Sequence, residues 1–264
     1  VRTVFITGAS SGIGEALAVR LASPGRVIGL LARRASALDR VAVRCRERGA
    51  AVEIYPVDVR EATAVRAAAY AFVANAGAVD LVIANAGVSR RDDESRDEAE
   101  LSRDIIETNF LGVINTLTPF IADMDRAGSG SLVAISSVAG VRGSPNAGAY
   151  SASKSAVNTW MESLRIRLCG RVHVMTVCPG FVATPMTASN RFRMPWLVTA
   201  DDAAARIERG VQRRLRVLVF PAPMRWLIAV ARLMPGAMFE AVAGWHARRR
   251  PELLRKQTPP ADHG

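Results

Sequence analysis

The stretch VFITGASSGIGEALA, residues 4–18, decides how the rest of the chain is read. Val4 to Thr7 is a short apolar run of strand character. Thr7-Gly8-Ala9-Ser10-Ser11-Gly12-Ile13-Gly14 follows at once, and a helical pattern begins at Gly12. Glycines at a strand-to-helix junction let the backbone turn tightly and approach a pyrophosphate. The negative charge of that group then meets free N–H groups at the helix N-terminus. A glycine-rich turn without function has the same composition, but a strand before and a helix after favour dinucleotide binding. The spacing is GxxxGxG, not GxGxxG.

Outward from this junction, short β-like runs alternate with helical patterns, which predicts βαβ units and a parallel sheet. Strands are predicted at Val27 to Leu31, Val52 to Val57, Leu81 to Ala84, Leu132 to Ser136, Val172 to Val177 and Val217 to Phe220. Helices are predicted at Gly12 to Ala22, Ala37 to Arg48, Ala62 to Ala74, Glu98 to Asp125, Tyr150 to Leu168 and Asp201 to Arg213. The fold class is therefore α/β, a single doubly wound Rossmann-type domain with a seven-stranded parallel sheet over residues 1–221. Residues 222–264 are expected to form an amphipathic helical extension with a basic, flexible tail.

The end of the second strand selects the dinucleotide. Sites for NAD place an acid there to hold the ribose 2′-hydroxyl. This chain has Leu30-Leu31-Ala32-Arg33-Arg34, with alanine in the acid's place. A guanidinium binds a 2′-phosphate through paired hydrogen bonds, whereas a carboxylate repels it. The expected cofactor is NADP(H), unless Arg33 and Arg34 are merely solvated.

Tyr150-Ser-Ala-Ser-Lys154 opens a helix and sets both side chains on one face, a turn apart. A free phenol, with a pKa of about 10, is a poor base near neutrality, and an adjacent ammonium favours its ionised form. Only Lys154 and Lys256 are lysine among 35 basic residues, so a lysine at this position stands out from an arginine-rich background.

With these motifs in place, the chain resembles the short-chain dehydrogenase/reductase family from Val1 to about Thr184, and to Phe220 more loosely. The family's TGxxxGxG loop corresponds to Thr7 to Gly14, its Asn-Ala-Gly to Asn85-Ala86-Gly87, and its PGxxxT segment to Pro179-Gly180 with Thr184. The active pair corresponds to Tyr150 and Lys154, and the serine thirteen residues earlier is Ser137. The resemblance implies that Ser137 bonds the substrate oxygen, Tyr150 gives or takes its proton, and Lys154 holds the nicotinamide ribose. It gives Asn109 a water-positioning role and sets Asp58 and Val59 beside the adenine. Cofactor contacts are expected from Gly8, Ser10, Ser11, Gly12, Ile13, Gly14, Arg33, Arg34, Asp58, Val59, Asn85, Ala86, Gly87, Tyr150, Lys154, Pro179, Gly180 and Thr184. Blander readings exist: Ser136 could replace Ser137, Asn109 could cap a helix kink, and Asp58 could begin a helix. Ala84 departs from the asparagine usual there, which bears on sheet support.

The resemblance makes the segment from Thr184 to Thr199 a substrate lid. Its methionines, Phe192 and Trp196 suggest an apolar or amphipathic carbonyl or alcohol substrate, or simply packing on the body. Two further readings stay open: an acyl-carrier-protein or lipid-linked 3-oxoacyl reductase, and a catalytically silent dinucleotide sensor or scaffold. A sensor would need the glycine loop but not Ser137, Tyr150 and Lys154 together.

The formal net charge of +11 is spread along the chain without a nucleic-acid motif, so no nucleic-acid partner is expected. Cys45, Cys169 and Cys178 are odd in number and form no CxxC, which suggests neither a disulfide framework nor a zinc site. His173, His246 and His263 are scattered, and no metal is expected. The chain opens on a strand-like run and has no uninterrupted apolar stretch of bilayer length. The expected setting is the cytoplasm. Met224 to Trp245 is apolar but broken by Arg225, Arg232, Pro235-Gly236 and Glu240, and Arg248-Arg249-Arg250 follow. Two short helices there are expected to cover the chain's own body, a neighbouring subunit or a membrane surface. The family resemblance implies a homodimer or homotetramer, paired through the helices at Glu98 to Asp125 and Tyr150 to Leu168.

Overall fold

The computed structural model describes residues 1–89, 97–144, 147–188, 190 and 193–249. Its strands are β1 (Thr3–Thr7), β2 (Val27–Leu31), β3 (Ala51–Tyr55), β4 (Leu81–Ala84), β5 (Ser131–Ile135), β6 (His173–Pro179), β7 (Val182–Ala183), β8 (Val198–Thr199) and β9 (Val217–Phe220). Seven of them form one sheet in the order β3-β2-β1-β4-β5-β6-β9, every pair parallel, while β7 and β8 make a separate short ladder. The chain runs outward from β1 to β3, then returns to β4 on the other side of β1. The order reverses between β1 and β4, and the crevice beyond their carboxyl ends is where such sheets take ligands.

The helices are α1 (Gly12–Leu21), α2 (Ala35–Glu47), α3 (Ala62–Ala76), α4 (Glu98–Ile106), α5 (Gly112–Ala127), α6 (Gly148–Leu168), α7 (Pro185–Ala188), α8 (Ala200–Gln212), α9 (Ala222–Leu233) and α10 (Gly236–Arg249). Alternation along the strands sends side chains to two cores. Val4, Ile6, Ile28, Leu30 and Ile83 meet Leu17, Leu38, Val41 and Ile207 from α1, α2 and α8. Phe5, Val82, Leu132 and Val174 meet Phe72, Leu117, Phe120, Val157 and Met161 from α3, α5 and α6. Strands β1, β4, β5 and β6 are buried at every residue, as strands covered on both faces should be. Phe5 lies tilted against Phe72 and Phe120, each with ring centroids 5.3 Å away. Full burial of one such ring contributes about 1.5–3 kcal/mol.

The helix predicted at Glu98 to Asp125 is not one regular helix. Glu107–Leu111 forms a π-turn between α4 and α5. The whole run Glu98–Ala127 is long and apolar enough to cross a bilayer by length and composition. Here, however, Ile105, Val113, Leu117, Phe120 and Met124 are turned onto the protein core. Strands β7 and β8 and helix α7 carry too few residues to show a period, and no sequence pattern predicts them.

After β9 come the two short helices predicted from the apolar, proline-broken stretch. Met224 is buried, and Arg142 fastens the rest. Its Nε donates to the Ala231 carbonyl (2.9 Å), another guanidinium N–H donates to the Met234 carbonyl at the end of α9, and the group lies 5.4 Å over the Phe239 ring of α10. Phe192 of the expected lid, and the basic tail from Arg250 onward, lie outside the described residues.

Candidate active site

The cofactor end of the cleft is built by close backbone approach. Gly8 and Gly12 have φ of +65° and +59°, a left-handed conformation that favours glycine. A Cβ on Gly14 would stand 2.3 Å from the Gly8 carbonyl oxygen and 2.5 Å from Asn85 Nδ2, a space no side chain can share. Asn85 Nδ2 donates to the carbonyls of Thr7 (3.2 Å) and Gly8 (3.1 Å), and its backbone N–H donates to Thr7 Oγ1 (3.3 Å). The asparagine expected at the cofactor thus also ties β4 to the glycine loop. Gly8, Ser10, Ser11, Gly12 and Ile13 line a cleft of about 280 Å³, and Gly14 lies behind them.

Arg33 and Arg34 border the same cleft just after Ala32, at the end of β2. Arg34 reaches Ser10 Oγ at 3.5 Å, and Arg33 stands 3.9 Å from Asp58. Arg60, which the sequence did not single out, grips Asp58 through Nε (3.0 Å) and a terminal N–H (2.8 Å), and reaches Asp104 at 3.2 Å. Burial pushes the Asp58 carboxyl upward, but the Arg60 hydrogen bonds outweigh it and leave the group below its usual range. Asp58 is therefore charge-matched by Arg60, which leaves the Arg33 guanidinium largely exposed. A dinucleotide fits this end: glycines allow contact, the α1 N-terminus offers N–H groups, and two guanidiniums stand beyond.

At the other end Ile135, Ser136, Ser137, Tyr150, Lys154, Pro179, Gly180 and Thr184 close the cleft. The two serines are separated by their partners. Ser136 Oγ donates to the Lys154 carbonyl (3.1 Å), bracing α6 against β5. Ser137 Oγ accepts from the Ala139 N–H (3.1 Å), heading a turn of 3₁₀ helix at Val138–Gly140. Lys154 is buried; its Nζ donates to the Ile135 carbonyl (2.9 Å) and lies 5.8 Å from the centre of the half-buried Tyr150 ring. Desolvation pulls the Lys154 ammonium down to about 8.

Asn109, expected beside these residues, is wholly buried behind the cleft wall in the π-turn. Its Oδ1 accepts from the Val88 N–H (2.7 Å), and its Nδ2 donates to the Val88 carbonyl (2.9 Å) and to Ser153 Oγ (3.2 Å). The side chain pins the segment after Ala86-Gly87 to α6. A β-carbon on Gly87 would lie 3.2 Å from Asn109 Oδ1 and 3.5 Å from Lys154 Nζ, so the brace adjoins the lysine. Ser153 was missed, although its place between Tyr150 and Lys154 was visible. Thr187 was missed too; it accepts from the Thr184 N–H (3.1 Å) and donates to the Val182 carbonyl (2.6 Å), shaping the turn between β7 and α7. His173 is a core residue, bonded to Ser131 Oγ (3.2 Å) and the Leu215 carbonyl (2.9 Å).

Comparison with known proteins gives this geometry a context. The family model for short chain dehydrogenases matches residues 2–194. A protein of Myxococcus xanthus described as an uncharacterized oxidoreductase is 39% identical over 243 residues, which is 92% of this chain and 96% of that one. A short-chain dehydrogenase from Sphingobium yanoikuyae, solved with NADPH, superposes with a TM-score of 0.75 at 27% identity, each chain covered in full. A 3-oxoacyl-[acyl-carrier protein] reductase from Brucella melitensis gives a TM-score of 0.72 at 25% identity, covering 83% of this chain and 89% of that one. A further similar structure, from Mycobacterium paratuberculosis, is bound to NAD.

The buried lysine has a measurable cost. Its folded pKa lies below the unfolded value of 10.5. Below about pH 8 both states hold the proton and the desolvation penalty is complete; above it the folded state releases the proton while the unfolded state keeps it. Lys154→Met should therefore melt higher than the parent protein at pH 7, by up to about 3 kcal/mol of stability. The gap should narrow as pH rises from about 8 toward 10.5. Thermal melts of both ligand-free proteins across that range check it; a gap that stays constant or widens contradicts the assignment.

Proposed function

The chain belongs to the short-chain dehydrogenase family of oxidoreductases, and from that premise we propose that it is an NADP(H)-dependent enzyme interconverting a carbonyl and an alcohol. The observation that carries this reading is one cleft with a glycine-loop cradle at one end and Ser137, Tyr150 and Lys154 at the other. When bound, the nicotinamide supplies or accepts the hydride at its C4. For reduction, the Ser137 hydroxyl donates a hydrogen bond to the carbonyl oxygen, and Tyr150 Oη gives that oxygen its proton. Lys154, held under the tyrosine ring, favours the phenolate left behind and bonds the ribose. Asn109 acts through the segment it pins, keeping Gly87 and the π-turn against Lys154. A catalytically silent sensor has no use for this second cluster.

Preference for the phosphorylated cofactor rests on the absence of a carboxylate at Ala32 and on two cleft-lining arginines, with Asp58 already matched by Arg60. The substrate end favours an apolar or amphipathic compound, since Met186 lines the cleft and Trp196 and Leu197 stay about half exposed in the lid segment. The likeness to the Brucella melitensis reductase, together with the basic surface, supports a second reading in which the carbonyl is a 3-oxoacyl thioester. Free thiols at Cys45, Cys169 and Cys178 suit a reducing cytoplasm. A homodimer through α4–α5 and α6 is supported by exposed Leu111 and Ile166 on those helices.

Three outcomes follow. Fluorescence titration should give NADPH a dissociation constant at least about tenfold below that of NADH, one good charge-assisted contact's worth. Arg33→Asp should shift the preference toward NADH, and equal binding by the parent protein would refute the cofactor assignment. With a screen of ketones, alcohols and 3-oxoacyl thioesters supplying a substrate, Tyr150→Phe should lose about 10²–10⁴ in kcat while keeping NADPH affinity. Lys154→Arg should also fail, because a guanidinium does not reproduce the compact ammonium. Retained turnover in Tyr150→Phe removes it as the acid/base. Light scattering should report at least twice the 28.3 kDa chain mass, reduced by Ile166→Glu; a monomeric parent protein ends the dimer proposal.

A further inference from the structure

Helices α9 and α10 present their apolar side chains outward. On α9, Trp226 is 78% exposed and Leu233 86%, with Leu227 and Val230 above half. On α10, Met238 and Val242 are at least half exposed. At 3.6 residues per turn, Trp226, Val230 and Leu233 fall within roughly 60° of one another, with Leu227 beside them. Arg225 and Arg232 lie together about 100° to one side of that stripe. Arg248 flanks the α10 stripe in the same sense, while Glu240, the sole acid of residues 222–249, falls on the opposite side. Large apolar side chains this exposed in rows on two successive helices are more than the single scattered hydrophobics of an ordinary soluble surface.

We propose that α9 and α10 form a docking surface for an anionic phospholipid bilayer. Apolar stripes flanked by arginines, with a tryptophan near the start of α9, match the demands of the membrane interface: apolar side chains enter the acyl boundary and guanidiniums stay at the phosphates. A second copy of the chain is a poorer occupant. A two-fold contact would set Arg225 and Arg232 of both copies together with little acidic charge to answer them. The chain's net charge of +11 also draws it toward an anionic surface. The helix that carries the patch backs onto the cleft with its buried side. Met224 of α9 packs against Gly180 at the substrate end, where a Cβ would come within 3.3 Å of it. The far end of α9 is held by Arg142, from the segment joining Ser137 to Tyr150. Docking through this face therefore holds the substrate end of the cleft on the far side of α9 from the lipid, one helix's thickness away.

The test is co-sedimentation of the full chain with phosphatidylcholine vesicles, with and without phosphatidylglycerol, at low and high salt. The proposal expects binding to the phosphatidylglycerol vesicles that falls with salt. Trp226→Glu with Leu233→Glu should abolish it, and Arg225→Gln with Arg232→Gln should weaken it roughly thirtyfold. Both variants should keep the parent's melting temperature, since these side chains are exposed, and its mass by light scattering. Absence of binding to phosphatidylglycerol vesicles, or binding unchanged by either variant, overturns the proposal. A lower oligomer mass in Trp226→Glu with Leu233→Glu overturns it in favour of a contact between copies. None of these readouts requires a substrate, so the result stands apart from the proposed activity.

Discussion

Of the described glycines, Gly14 leaves the least room for a side chain, its neighbour being the carbonyl of Gly8, and the rest of the site depends on that closeness. With even a methyl group at Gly14 the oxygen would be 2.3 Å away, and α1 could not begin where it does. Because it can, the N-terminus of α1 points across the end of β1 into the gap where the strand order reverses. Asn85 completes the arrangement from the end of the neighbouring strand by donating to the carbonyls of Thr7 and Gly8. A tight turn is thus converted into a rigid one. The same strand, β4, then leads into Ala86 and Gly87 at the middle of the cleft.

The order of elements was legible because it rests on period. The buried strands are apolar runs, the helices carry one apolar face, and the junction glycines punctuate them. Tyr150 and Lys154 stood out by their spacing and Ser137 by the family resemblance, and the structure brings the three to one cleft. What escaped the sequence was partnership between residues distant along the chain. Nothing near Arg60 shows that the guanidinium gripping Asp58 also reaches Asp104, 44 residues on. Nothing near Arg142 shows that its partners are Ala231, Met234 and Phe239. Both serines line the cleft, and only the third dimension shows that the Ser136 hydroxyl donates to the Lys154 carbonyl while that of Ser137 heads a 3₁₀ turn.

Charge type follows the same logic. Across an arginine-rich surface a guanidinium suffices, being weakly hydrated and broad enough to hold several acceptors. Lys154 is buried, with its ammonium between the Ile135 carbonyl and the Tyr150 ring. Its environment strips water from the ammonium and returns one hydrogen bond. Burial there holds the ammonium below its ordinary range, at the end of the cleft that Tyr150 and Ser137 share.

The π-turn at Glu107–Leu111 has a consequence for how this part of the chain is counted. Measured on an unbroken α-helix, the buried stripe Val113, Leu117, Phe120 and Met124 would be rotated roughly 90° from Ile105, about one residue's angle. The turn absorbs that offset, so both halves face the protein interior. A helix one residue shorter would bring the two stripes into phase without any irregularity. Packing alone therefore does not ask for the extra residue. Its effect is local: it swells the coil where Asn109 reaches Val88 and Ser153, beside the buried lysine. The surplus position is written into the length of the chain itself, and a gap or insertion at 107–111 in a relative would mark whether that relative keeps the same brace.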